Sequence, residues 1–239
     1  MKGGTDIKFI FSIRFLMKIR RIVASIGVLL TIILCGSNMA FAKEKTKGII
    51  LIDPGHGGID GGAVSQNGTV EKDINLSISK KLKKELEKDG YKVYLTRKED
   101  KELSTKKVED LESRCKMKIE TKCDIFISIH QNKFSNSSCY GAQVWYSNNE
   151  KSSLLSEKIQ ESIKESVNDG NKRLAKPAKD LYKILRDGYD GACVIVECGF
   201  LSNYQEEQLL KTHTHQDKIV DGIKSGINRY FEEGKKFPG

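Results

Sequence analysis

At 239 residues, the chain is long enough to bury one core, and its formal charge of +9 is spread among interspersed acidic and basic residues. That pattern excludes a nucleic-acid footprint. Six cysteines in no CxxC spacing exclude a disulfide scaffold, and there are no repeats or low-complexity segments.

Residues 1–42 read as a signal region. Lys18, Arg20 and Arg21 precede the apolar run Ile22 to Leu34, and Ala40-Phe41-Ala42 has the small-x-small form of a signal-peptidase site. The run falls short of the roughly 20 residues a permanent membrane span needs. Cys35 suggests a lipoprotein signal, but bulky Leu34 stands where such sites take a small residue, so cleavage after Ala42 is expected. Met17 offers a second translation start, because residues 1–16 add nothing that a signal requires. Cleavage leaves residues 43–239 as a single domain with 35 basic and 31 acidic residues, a balance of +4. Its five cysteines read mostly as buried thiols. Secretion, or an extracytoplasmic location, follows.

In chain order, Gly48 to Ile52 is all apolar and predicts a central strand. Thr69 is the expected N-cap of a helix whose Ile74, Ile78, Leu82 and Leu86 recur at helical spacing until Gly90. Lys92 to Leu95 alternates as a strand, and Lys98 to Lys107 is a solvated connection. Leu111 to Lys122 reads as a helix, Asp124 to Ile129 as a buried strand and Gly141 to Tyr146 as a further strand. Leu154 to Val167 is an amphipathic helix, Leu181 to Leu185 a short element and Val194 to Val196 a buried strand. A last helix runs from about Asp217 to Phe231. Alternating strands and helices predict a three-layer α/β/α domain with a mostly parallel sheet.

Four residues follow separate strands or open a helix in this pattern. His56 lies in Asp53-Pro54-Gly55-His56-Gly57-Gly58 after the first strand, Glu71 opens the first helix, and His130 and Glu197 each end an apolar run. In an open α/β sheet such positions share one crevice. Two imidazoles and a carboxylate, with a second carboxylate nearby, make the side-chain set of a hydrolytic zinc site. Each has a plainer alternative, which for His56 is a satisfied structural histidine. Asp53 caps the turn or holds the His56 ring. Glu71 complements the helix dipole. His130 bonds a loop carbonyl, and Glu197 pairs with Arg97 or Arg114. His213-x-His215 reads as an exposed loop before the last helix. Cys198 reads as a packed thiol rather than a nucleophile partnered by His130.

Asp53-Pro54-Gly55-His56-Gly57-Gly58, Glu71, Ser128-Ile129-His130-x-Asn132 and Glu197-x-Gly199-Phe200-Leu201-Ser202-Asn203 together resemble the type 3 catalytic domain of zinc-dependent N-acetylmuramoyl-L-alanine amidases, from about Gly48 to Phe231. The resemblance implies peptidoglycan as substrate, Zn2+ as cofactor, His56, Glu71 and His130 as metal ligands and Glu197 as the catalytic carboxylate. It matches Arg114 to an arginine in the helix before the second histidine, and Arg114 and Asn132 are expected to position the site or a substrate group. Gln131 occupies a variable position, and Asp190-Gly191-Ala192 stands where Pro-Ala is common. The inhibitory helix of some division-associated members has no counterpart between His130 and Glu197. A bare catalytic domain with a signal also resembles sporulation members that trim cortex peptidoglycan before muramic-δ-lactam forms. The alternatives are a silent wall-binding or scaffold protein and a zinc peptidase cutting the stem. No wall-binding module is evident, so an extracytoplasmic protein partner is expected to localise the domain or order its metal site.

Overall fold

The continuous apolar runs become interior strands, because a strand covered by helices on both faces has no solvent side on which to place polar residues. The computed structural model describes residues 17–21, 46–168 and 170–234. Apart from residues 17–21, which are helical, the expected signal region lies outside the described residues. In chain order the folded unit comprises β1 (Ile49–Pro54), α1 (Glu71–Lys88), β2 (Lys92–Leu95), α2 (Lys107–Thr121), β3 (Ile125–Asn132), β4 (Gln143–Tyr146) and α3 (Glu150–Val167). β5 (Lys176–Pro177), a 3-10 turn (Lys183–Leu185), β6 (Ala192–Phe200), α4 (Tyr204–Leu210) and α5 (His213–Gly234) complete it.

The sheet order is β2-β1-β3-β6-β4-β5, parallel throughout except where β4 runs antiparallel to β6. Alternation along each strand divides the core between two faces. Ile50, Ile52, Ile125, Ile127, Val194 and Val196 pack in one cluster with residues of α1, α3 and α5. Leu51, Phe126, Cys193 and Ile195 pack in the other with residues of the 3-10 turn, flanked by α2 residues. This is the three-layer α/β/α arrangement with a mostly parallel sheet. Glycines at 222 and 226 let α5 approach α3 closely, since a Cβ on Gly226 would lie 2.6 Å from the Ile159 Cα.

Several boundaries differ from the sequence reading. Thr69 does not cap α1. Val70 holds that position without a side-chain cap bond, and the Thr69 hydroxyl donates instead to Glu207 (2.5 Å). α2 starts at Lys107, four residues early, and β6 extends to Phe200. The last helix starts at His213, where the Thr212 hydroxyl accepts the His215 N–H (3.3 Å). His213 and His215 are therefore helical, with His215 buried, rather than in an exposed loop. The sequence reading missed α4 and β5, which are too short to show a period. Asn203 caps α4 by accepting from the backbone of Gln205 and Glu206.

Candidate metal and catalytic centre

β1 ends in a turn that the chain cannot make with ordinary backbone angles. His56 has φ +61°, followed by Gly57 at +139° and Gly58 at +57°. A non-glycine residue in the left-handed region is held there by its surroundings. Two buried arginines supply them. Arg97 donates to the carbonyls of Pro54 (2.9 Å) and Gly55 (3.0 Å), and Arg114 donates to those of Pro54 (3.1 Å) and His56 (3.0 Å). The turn's carbonyls point back into the protein, and the His56 ring points into the crevice.

There it meets Glu71 and His130. Glu71 Oε1 lies 2.9 Å from His130 Nδ1 and 3.4 Å from His56 Nε2, and one donor atom from each of the three residues lies within 4.8 Å of the others. The two imidazoles meet edge-on with centroids 5.0 Å apart. Backbone holds the carboxylate: Ala63 N–H donates to Oε2 (2.7 Å) and Gln131 N–H to Oε1 (3.0 Å). Burial alone would raise the Glu71 carboxyl, but hydrogen bonds and charge from both histidines hold it well below the usual carboxylate range. Burial would lower His56, yet Glu71 and Asp60 outweigh it and raise the ring to about 9.

Glu197 extends from β6 on the same sheet face as Cys193 and Ile195, and its Cα pairs with that of His130. It is 8% exposed, and its buried Oε2 has no hydrogen-bond partner among the described residues. Burial pushes its carboxyl up to about 7, His130 drawing it down and the Glu71 charge raising it. Neither Arg97 nor Arg114 pairs with it, contrary to the plainer sequence alternative, because both are committed to the turn. A carboxyl raised towards neutrality beside a His-Glu-His cluster that could hold a cation has the chemistry to accept and return a proton.

The N-acetylmuramoyl-L-alanine amidase family pattern spans residues 50–229 of this chain. The chain belongs to that family. It is 36% identical over 197 residues to the germination-specific N-acetylmuramoyl-L-alanine amidase of Bacillus subtilis strain 168, covering 77% of this chain and 80% of the relative. AmiC of Escherichia coli O6:H1 is 30% identical over 78% of this chain but only 53% of its own length. Among solved structures, the CwlD amidase of Clostridioides difficile, determined in complex with the GerS lipoprotein, is similar at a TM-score of 0.74 and 39% identity. That likeness covers 78% of this chain and 99% of that one. An amidase from Clostridium difficile 630 follows at 0.70 and 30% identity, covering 77% and 97%. The reaction class is thus peptidoglycan amide hydrolysis.

In this amidase Arg114 is a part of the scaffold. Four of its five N–H groups are engaged, with Asp110 (2.5 Å), Asp53 (2.7 Å) and the Pro54 and His56 carbonyls, so it positions the turn. Asn132 ends β3 at a register shift, its carbonyl accepting Leu201 N–H (2.8 Å), and among the described residues its side chain makes no hydrogen bond. Asp53 does not hold the His56 ring. It accepts from Thr96 (2.6 Å), Ser128 (2.7 Å) and Arg114. The acceptor at His56 Nδ1 is Asp60 (2.9 Å), which the sequence reading did not single out. Tyr182 was also missed. Burial and the charges of Glu197 and Glu71 push its phenol up to about 12, leaving a neutral hydroxyl facing Glu197. Cys198 is buried, and burial pushes its thiol above the usual range, which suits a packed thiol. Beside His56 a cavity of about 290 Å³ is lined by Ile59, Asp60, Ser104, Lys107, Leu111 and Arg114.

The Asp53 cluster sets an acid limit on stability. Burial raises its carboxyl, but Arg114, Thr96 and Ser128 outweigh this and hold it at about 2, against 3.8 unperturbed. Because the folded value is depressed, its contribution is present above pH ~4 and lost as pH falls through about 2, on the order of 2 kcal/mol. The unfolding free-energy gap between wild type and Asp53→Asn should therefore narrow in denaturant titrations between pH 5 and pH 2. A gap that stays constant would remove the ionised carboxylate from the stability balance.

Proposed function

We propose that this amidase is a zinc enzyme of the cell envelope that hydrolyses the amide joining the lactyl carbonyl of N-acetylmuramic acid to L-alanine, in the trimming of spore cortex that precedes muramic-δ-lactam. The observation that carries the reading is the convergence of His56 Nε2, Glu71 Oε1 and His130 Nδ1, with a buried Glu197 oxygen that has no hydrogen-bond partner among the described residues. The donor set fits zinc: two borderline nitrogen donors and one carboxylate leave positions for water and substrate. The surrounding backbone fits too. A Cβ on Gly62 would lie 2.6 Å from Glu71 Oε2 and 2.8 Å from His56 Nε2, and one on Gly55 would strike the His130 ring.

His56, Glu71 and His130 would hold the ion. Zinc bound there would supply Lewis-acid chemistry, lowering the pKa of a bound water towards ~7 and polarising the amide carbonyl. Glu197 accepts the proton of the attacking water and passes it to the departing amine, which leaves only when protonated. The Tyr182 hydroxyl keeps the Glu197 carboxylate directed at that exchange. The Arg97 and Arg114 clamp keeps His56 in its left-handed conformation through the cycle, and Asn132 is free to meet a substrate amide.

Support for the cortex role comes from the germination-specific relative of Bacillus subtilis and the CwlD structure. The lipoprotein bound to that CwlD also supports an extracytoplasmic partner that localises this chain or orders its zinc site. Mass spectrometry of purified muropeptides after incubation tests the bond cleaved. Intact stems released from glycan are expected, whereas shortened stems would make the protein a peptidase and no turnover would make it a scaffold. An envelope pull-down that returns no stoichiometric companion would remove the partner.

A further inference from the structure

The loop from Gly57 to Gly62 wraps the His56 imidazole on two sides. Gly57 N–H donates to the Asp60 carbonyl (2.9 Å) and Asp60 N–H returns a bond to the Gly57 carbonyl (3.1 Å), closing a tight turn. This turn brings the Asp60 side chain back to the ring, where Oδ2 sits 2.9 Å from His56 Nδ1. Its other oxygen, Oδ1, accepts Gly62 N–H (3.1 Å). Gly62 in turn lies against the far edge of the ring, since a Cβ there would be 2.5 Å from His56 Cδ2. Both carboxylate oxygens are thus in use, one on the loop and one on the imidazole.

A neutral imidazole offers a lone pair at Nε2 only when Nδ1 carries the proton. A carboxylate on Nδ1 selects that tautomer, stops ring rotation and makes Nε2 more basic. We propose that Asp60 is a positioning residue for His56, fixing its tautomer and orientation so that Nε2 faces Glu71 and His130, and thereby setting the metal affinity of the centre. The proposal rests on the zinc reading above. The plainer role, a turn residue that only accepts Gly62 N–H, makes a different demand on position 60. Asparagine is itself a good turn residue. It puts a donor NH2 where one of the two carboxylate oxygens stands, so the contact at that position, to Gly62 N–H or to His56 Nδ1–H, loses its acceptor.

Zinc dissociation constants, measured by competition with a chromophoric chelator on wild type, Asp60→Asn and Asp60→Ala, test this together with the NMR signal of the His56 Nδ1–H proton in metal-free and zinc-loaded protein. Thermal unfolding of the metal-free variants monitors the fold. Both variants should unfold near wild type, since Asp60 is half exposed. Each should weaken zinc by roughly 10- to 100-fold, and the slowly exchanging Nδ1–H signal of wild type should be lost in Asp60→Ala. Tight zinc uptake that is unchanged in both Asp60→Asn and Asp60→Ala would overturn the positioning role and leave a turn residue. A wild-type protein that shows the protected Nδ1–H proton yet takes up no zinc would instead sink the metal reading itself.

Discussion

Glu197→Ala is expected to lower peptidoglycan amide hydrolysis by about 10²–10⁴-fold, the range over which a positioned acid–base group acts, while zinc content stays near wild type. Glu71 Oε1 lies against both histidines, whereas Glu197 Oε2 has no hydrogen-bond partner among the described residues. Glu197→Gln sharpens the test because it keeps the shape and removes the base. The folded carboxyl sits at about 7 against 4.5 unperturbed, raised by burial, so ionised Glu197 costs stability as pH climbs from ~4.5 to ~7. Metal-free Glu197→Gln should therefore melt higher than wild type at pH 8, by the equivalent of about 3 kcal/mol. For the zinc enzyme, the same carboxyl predicts a rate that rises with pH through an acid limb at or below 7, since a nearby dication draws the value down. Loss of zinc along with activity in Glu197→Ala would move this residue onto the metal and leave the base unassigned.

The second large effect is loss of the metal. His56→Ala, Glu71→Ala and His130→Ala should each purify without stoichiometric zinc and without activity, because two remaining donors hold zinc too weakly at ordinary concentrations. The three differ in what else they disturb. His56 and His130 are partly exposed, so their removal should leave the fold intact. Glu71→Ala strips the acceptor from the Ala63 and Gln131 N–H groups and should also cost about 1–3 kcal/mol of stability. Metal analysis and thermal melts on the three proteins separate the effects. Full zinc occupancy in Glu71→Ala would reduce that residue to its structural bonds and its place at the start of α1.

Strand and helix alternation was legible because burial on both faces writes itself as unbroken apolar runs, as in Ile125 to Ile129. The clustering of His56, Glu71 and His130 was legible for a related reason: each lies where such a run ends or a helix opens, and those ends share one crevice. Short elements were not. α4 has seven residues, fewer than the two-turn repeat that would reveal it, and β5 has two. The start of α5 was missed because its cap, Thr212, stands before two histidines that break the apolar pattern.

The local chain thus determined by itself the order of elements, the faces they bury and the residue types brought to the carboxyl ends of the strands. It did not determine their partners. Asp53 precedes His56 by three residues, yet it faces Thr96, Ser128 and Arg114, while Asp60 reaches the imidazole. That exchange depends on a positive φ at His56, and on Arg97 from the loop after β2 and Arg114 from α2 anchoring the turn's carbonyls. Those arginines arrive only when the layers close, so the aim of the imidazole is a property of the tertiary structure. Glu197 is a second case: Arg97 and Arg114 are committed to the turn, and its Oε2 has no hydrogen-bond partner among the described residues.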